Sequence, residues 1–191
     1  MTNTPTTKQL TINMETGRLA PVDFHFSAHH DERPAGIAID MIVVHNISLP
    51  PGQFGGDAIQ QFFCGQLDHA AHPYFSEIAT LRVSSHLLIT RTGSVLQFVP
   101  FHQRAWHAGE SSFKGRMRCN DFSIGIELEG TDELPFEPVQ YQRLAEVIKV
   151  LRQAYPHISH DRIVGHSDIA PLRKTDPGPA FDWDYLRGKL A

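Results

Sequence analysis

One short stretch, residues 164–179 (VGHSDIAPLRKTDPGP), holds a histidine, two aspartates and a lysine, with glycine and proline stiffening both ends. The apolar pair Ile163-Val164 leads straight into His166, which puts that histidine just past the end of a buried strand. A second histidine, His45, closes another apolar run at residues 37–44 and is followed by Asn46. Two imidazoles and a carboxylate are enough to hold a catalytic zinc and leave its fourth position open. Such an ion acidifies water or polarises a carbonyl. The site would still need a base and a cation for a developing oxyanion. Glu127, near the end of a third apolar run, and Lys174 are the natural candidates. The metal-binding carboxylate could be Asp168 or Asp176. Asp168 is two residues from His166, so in an extended chain the two face the same way. Asp176 is two residues from Lys174, and Pro177 biases it towards extended backbone. Local geometry leaves the choice open.

The elements that must position these groups follow from the hydrophobic pattern. Residues 37–44 are nearly continuous apolar with β-branched side chains, which suits a central strand buried on both faces. Asp57 opens a helix carrying Ile59, Phe62 and Phe63, with Cys64 as filler in the same helix. Residues 68–73 read as loop and 75–81 as weakly helical. Residues 85–90 and 94–99 flank Arg91-Thr92-Gly93 and predict a β-hairpin. Residues 122–129 alternate strictly: Phe122, Ile124, Ile126 and Leu128 on one side, Ser123, Gly125, Glu127 and Glu129 on the other. Gly125 leaves space beside Glu127 for something to approach the carboxylate. Residues 138–155 are a helix with Val139, Leu144, Val147, Ile148 and Leu151 as its core stripe, ended by Pro156. Residues 162–164 are a short last strand, and a helix starts within 181–186. Residues 12–33 read as an irregular covering segment with a short strand, with His29-His30 in solvated loop, and residues 1–10 as frayed. Strands alternating with helices, plus one hairpin, predict an α/β single domain: a mixed central β-sheet flanked by α-helices, with the zinc site at the sheet rim.

Length and composition narrow the function. A chain of 191 residues with 41% apolar and 20% charged content is one domain with a sizeable core. Its net charge of -4 supplies no general attraction for nucleic acid or an anionic membrane surface. Two cysteines, Cys64 and Cys119, are too few for a disulfide framework and read as free thiols in a reducing compartment. The polar, threonine-rich first twenty residues carry no secretion signal, and no run is apolar enough to span a bilayer. The expected location is the cytoplasm, and the expected state a monomer without nucleic-acid or membrane partners.

Four runs, taken together and in order, resemble a known family. They are residues 43–56 (VVHNISLPPGQFGG), 104–109 (RAWHAG), 119–130 (CNDFSIGIELEG), and 165–171 (GHSDIAP) with 173–183 (RKTDPGPAFDW). The chain resembles the bacterial AmpD family of cytoplasmic N-acetylmuramoyl-L-alanine amidases acting on 1,6-anhydro muropeptides. That family sits in a zinc amidase superfamily with the peptidoglycan recognition proteins and phage T7 lysozyme. The resemblance implies one amidase domain over residues 1–191, a Zn2+ cofactor and a muropeptide substrate. It implies His45, His166 and Asp176 as zinc ligands, and so assigns Asp168 a structural role. It implies Glu127 and Lys174 as catalytic residues, and Asn46, Trp106 (sugar), Arg82 and Arg118 (peptide carboxylates) as substrate contacts. His107 reads as a solvent-facing neighbour outside the metal set. Ser167, where relatives often carry cysteine, and the histidine-rich residues 24–31 depart from the family pattern. The rival readings are a module that binds peptidoglycan fragments without cleaving them, and a zinc peptidase acting within the stem peptide.

Overall fold

The computed structural model describes residues 9–191. The elements run β1 (Thr11–Asn13), β2 (Arg18–Ala20), β3 (Asp23–Phe24), β4 (His30–Glu32), β5 (Met41–Ile47), α1 (Ala58–Phe63), α2 (Pro73–Glu77), β6 (Leu87–Ile89), β7 (Val95–Gln97) and β8 (Gln103–Ala105). They continue with β9 (Ser112–Phe113), β10 (Arg116–Met117), β11 (Ser123–Glu129), α3 (Pro138–Ala154), β12 (Ile163–Gly165), α4 (His166–Ile169) and α5 (Trp183–Leu190). The expected frayed start falls, for residues 1–8, outside the described residues; Leu10 packs against the core.

Six strands form the central sheet in the order β12-β5-β11-β6-β7-β3. β5 pairs in parallel with both β11 and β12. β6 joins β11 in parallel and turns back as the expected hairpin with β7, with Gly93 at φ +82° in the turn. The sheet is therefore mixed. β5 is central and carries fully buried Met41, Ile42, Val43 and Val44, as a strand covered on both faces must. β11 is buried along its whole length, including Glu127 and Glu129, so neither carboxylate lies on a solvated face.

One face of the sheet packs Ile42, Val44, Ile124, Ile126 and Leu128 against Leu144, Val147, Ile148 and Leu151 of α3. The stripe of α3 differs from expectation at one position: Val139 is exposed, and Tyr141 and Ala145 take its place. Gln140 anchors the helix twice, accepting from Glu137 N at 3.0 Å and donating to Glu129 O at 3.0 Å. The opposite face carries Met41 and Val43 with Phe122, Val164 and Ile169. Cys64 lies just past α1, and residues 73–77 form the helix expected further on.

Residues 12–33 are more ordered than the composition suggests. They form four short strands, and β4 pairs with β8. The His29-His30 pair is not solvated loop: His29 Nδ1 lies 3.0 Å from Val83 O, and His30 is paired with Ala105. β1 and β2 pair with each other, but β3 and β4 were made by partners distant in sequence, β7 and β8, which is why local polarity misjudged them.

Leu144 is fully enclosed where α3 meets the sheet. Leu144→Ala is expected to lower the unfolding free energy by about 2–5 kcal/mol. Urea unfolding followed by circular dichroism measures this, and a loss well under 1 kcal/mol would refute the packing described.

Candidate active site

The site begins with strand register. Glu127 on β11 stands opposite His45 on β5, so the two side chains leave neighbouring strands on the same face. By the two-residue period that face also carries Ser123 and Gly125, and it is the one turned away from α3. On the other edge of β5, Gly165 pairs with Val44, which brings His166 alongside His45. The backbone then turns into α4. The following loop returns so that Ser167 N donates to Asp176 O at 2.9 Å, which holds Asp176 next to His166.

His45 Nδ1, His166 Nδ1 and Asp176 Oδ2 converge, with all three separations 3.0 Å. These atoms form a group that could hold a metal ion. The outer nitrogens are engaged elsewhere: His166 Nε2 donates to Ala108 O at 3.0 Å, and His45 Nε2 lies 3.0 Å from His107 Nδ1. A neutral imidazole has one proton. With His166's proton on Nε2, its Nδ1 presents a lone pair to the centre.

Burial and the neighbouring groups set the charges here. Burial pulls His45 down to about 4, against opposing hydrogen bonding from Asp176, so the ring is neutral near pH 7. Burial pushes Asp176 up, but the imidazoles of His166 and His45 outweigh it and hold the carboxyl well below the usual range. An ionised carboxylate facing imidazole lone pairs is an acceptor-only hole, which a cation completes.

Glu127 is the other anomaly. Its Oε2 is buried with no hydrogen-bond partner. Burial, reinforced by the charge of Asp176 and opposed by Lys174, pushes its carboxyl well above the ordinary value. Two carboxyls in one groove thus have opposite proton affinities, which separates an acid/base group from a permanent ligand.

His45, Glu127, His166, Lys174 and Asp176 line one groove of about 370 Å³. Its far wall is apolar, built from Phe62, Phe63, Tyr74, Ile78 and Leu81. Nothing in the pattern of α1 distinguished this wall from core, because both uses select the same side chains.

Asn46 also lines the groove, donating to Asp132 Oδ1 at 2.6 Å and Pro177 O at 3.1 Å. Arg82 is exposed and borders a small cavity that shares Phe62 and Leu81 with the groove. Trp106 is not among the groove's lining residues; its indole donates to Asp31 Oδ1 at 3.1 Å. Arg118 is exposed, outside the lining, and 3.4 Å from Asp121. Asp168 is exposed and accepts from Gly165 N at 2.7 Å. The extended-chain argument for Asp168 fails because residues 166–169 are helical, which turns it away from His166. His107 is buried rather than solvent-facing. Its ring fills the space above Gly125, which was read as an approach to Glu127.

This arrangement, a carboxyl of raised proton affinity beside a triad able to hold a metal ion at a sheet rim, is that of a hydrolase. Residues 35–179 match the family model described as N-acetylmuramoyl-L-alanine amidase. The chain belongs to this family of amidases. It is 59% identical over 161 residues to the 1,6-anhydro-N-acetylmuramyl-L-alanine amidase AmpD of Escherichia coli (strain K12), covering 84% of this chain and 87% of that one. A crystal structure of a selenomethionine AmpD derivative superposes with a TM-score of 0.90 at 54% identity, over 94% of this chain and all of the other. The AmiD amidase of E. coli, solved with anhydro-N-acetylmuramic acid-L-Ala-D-γ-Glu-L-Lys, gives a TM-score of 0.58 at 32% identity, covering 83% of this chain and 60% of that one.

The proton affinities set a pH dependence. Burial lowers His45 to about 4 from 6.5, and lowers His86 and His107 well below 6.5. Unfolding therefore takes up protons as pH falls below 6.5, and stability drops with it. Glu127, raised above 4.5, acts in the opposite sense, but it is one group against three. With metal removed by chelator, urea unfolding between pH 6.5 and 4.5 is expected to show falling stability, by at most about 1.4 kcal/mol per pH unit for each uncompensated proton. Stability that is flat or rises across that window would contradict the burial of these rings.

Proposed function

We propose that the chain is a zinc-dependent amidase. It hydrolyses the amide between the lactyl group of 1,6-anhydro-N-acetylmuramic acid and L-alanine in muropeptides, in the cytoplasmic recycling of cell-wall fragments. The observation that carries this reading is the convergence of His45 Nδ1, His166 Nδ1 and Asp176 Oδ2 at 3.0 Å in the groove that also exposes Glu127 and Lys174. Two nitrogens and one oxygen are a zinc donor set. Their spacing is near the about 3.3 Å edge of a tetrahedron with bonds of about 2.0–2.1 Å. The anhydro-sugar substrate is supported by the names of the AmpD relatives and by the anhydro-muramyl peptide in the AmiD complex. The reducing compartment is supported by the free thiols of Cys64 and Cys119. No described helix is long and apolar enough to cross a membrane.

Zinc, when bound, supplies a Lewis acid for the scissile carbonyl and acidifies the attacking water. Glu127 takes the proton from that water, because burial gives its carboxylate an unusually high proton affinity, and passes it to the leaving alanine amine. Lys174 faces the same groove and neutralises the carbonyl oxygen as negative charge develops on it. Asp176 stays ionised through the cycle, since its proton affinity moves the opposite way from that of Glu127. The apolar wall of Phe62, Phe63 and Tyr74 excludes water from one side of the substrate. Asn46 orients the substrate amide, Arg82 meets a stem carboxylate from beside the groove, and Trp106 and Arg118 complete the sugar and peptide contacts.

Lys174→Ala is expected to cut turnover roughly 100-fold or more with zinc still bound, and Glu127→Gln at least as much. Near-normal turnover in either zinc-loaded variant would remove that residue from its role. The whole reading is tested by incubating the protein with anhydro-muropeptide and ordinary muropeptide, with and without chelator, and weighing the products. Free anhydro-sugar and intact peptide, lost on chelation, are expected. A shortened stem peptide would point to a peptidase instead.

A further inference from the structure

The role of His107 goes beyond the three ligands, and the inference about it rests on the zinc site proposed above. Its ring is buried, about 9% exposed, and lines the groove behind His45. Three separate features of β11 and its approach make a berth for it. Ser123 Oγ donates to Cys119 O at 2.6 Å, so the hydroxyl's lone pairs face His107 Nε2 at 3.1 Å. Gly125 has no side chain, and a Cβ there would stand 2.4 Å from His107 Cγ. Asn120 Oδ1 accepts from the backbone N–H of both His107 (3.2 Å) and Ala108 (2.8 Å).

The protons in this chain have one consistent arrangement. Ser123 has given its hydrogen to Cys119 O, so His107 must carry its own on Nε2. His107 Nδ1 is then an acceptor, 3.0 Å from His45 Nε2. His45 must therefore be protonated on Nε2, which leaves its Nδ1 lone pair aimed at His166 and Asp176. The neighbouring residue completes the set, because Ala108 O does the same for His166 Nε2 at 3.0 Å. Asn120 thus clamps a dipeptide whose two members each orient one imidazole.

We infer that His107, seated over Gly125 and oriented by Ser123, is a positioning residue that sets the tautomer and ring angle of His45 for metal binding. The Ser123-x-Gly125-x-Glu127 pattern on one strand face then has a division of labour: anchor, opening and acid/base group. Outer partners of this kind are worth about 10–100-fold in metal affinity.

The test is zinc affinity by chelator competition in the full chain. His107→Leu keeps the bulk and removes the acceptor, whereas His107→Asn places Oδ1 close to where Nδ1 was. The expected result is about 10–100-fold weaker zinc binding for the leucine variant and recovery of most of that loss by asparagine. Packing alone would favour leucine. Wild-type affinity in the leucine variant, or asparagine no better than leucine, overturns the inference. If the leucine variant does not fold, long-range ¹H–¹⁵N spectra of the unsubstituted, metal-free chain decide it. His107 is expected as the Nε2–H tautomer before zinc is added, and an Nδ1–H tautomer overturns it. Failure of the unsubstituted chain to bind equimolar zinc would instead refute the zinc site itself, a result distinct from either of these.

Discussion

Parallel pairing of β5 with β11, in the register that sets His45 opposite Glu127, is the constraint on which the site depends. Side chains alternate along a strand, so a slip of one residue would turn Glu127 into the α3 core and bring an apolar residue to the groove. The core prevents the slip. Ile124, Ile126 and Leu128 are fully buried against α3, and a one-residue slip would turn them away from it. The hydrophobic face therefore fixes the position of the polar one. β12 extends the same logic, since its pairing with β5 delivers His166 beside His45 at the strand ends.

Burial then gives these residues their chemistry. Removing His45 from water favours the neutral ring that a metal needs as a donor. The same dry surroundings raise the proton affinity of Glu127, whereas that of Asp176, faced by two imidazoles, is lowered. One groove thus separates two carboxyl groups by their neighbours rather than their type. The outer shell shows why burial is tolerated: Ala108 O and His107 Nδ1 satisfy the imidazole nitrogens that face away from the centre. Within the groove the inward atoms and Glu127 Oε2 are left without donors, and those are the atoms proposed for binding and catalysis.

Much of this was legible along the chain because it is locally encoded. The apolar run before His45, the alternation through Glu127 and the periodic stripe of residues 138–155 formed the elements they predicted, except that the alternating strand begins at Ser123 and Phe122 packs on the opposite face with Met41 and Val43. The stripe erred at Val139, which sits in the first turn and faces solvent. Two other readings failed for separate reasons. Asp168 looked like a ligand because extended geometry was assumed where a helical turn forms. His29-His30 looked solvated because their partners, Val83 and Ala105, are more than fifty residues away. The substrate contacts implied by resemblance are the least readable, since Trp106 and Arg118 lie outside the groove's lining.

By itself the sequence determined the element types, the mixed α/β class and the identity of a histidine–carboxylate–lysine set at strand ends, because periodicity and residue chemistry are properties of neighbours along the chain. Its four ordered motifs also determined the family. Only tertiary structure decided how these groups meet: that Asp176 and not Asp168 closes the triad by geometry, that Glu127 loses its water and its partners, and that His107 fills the space over Gly125. Those outcomes depend on strand register, loop return and desolvation. Each is set by contacts between residues far apart in sequence, so no local pattern carries them.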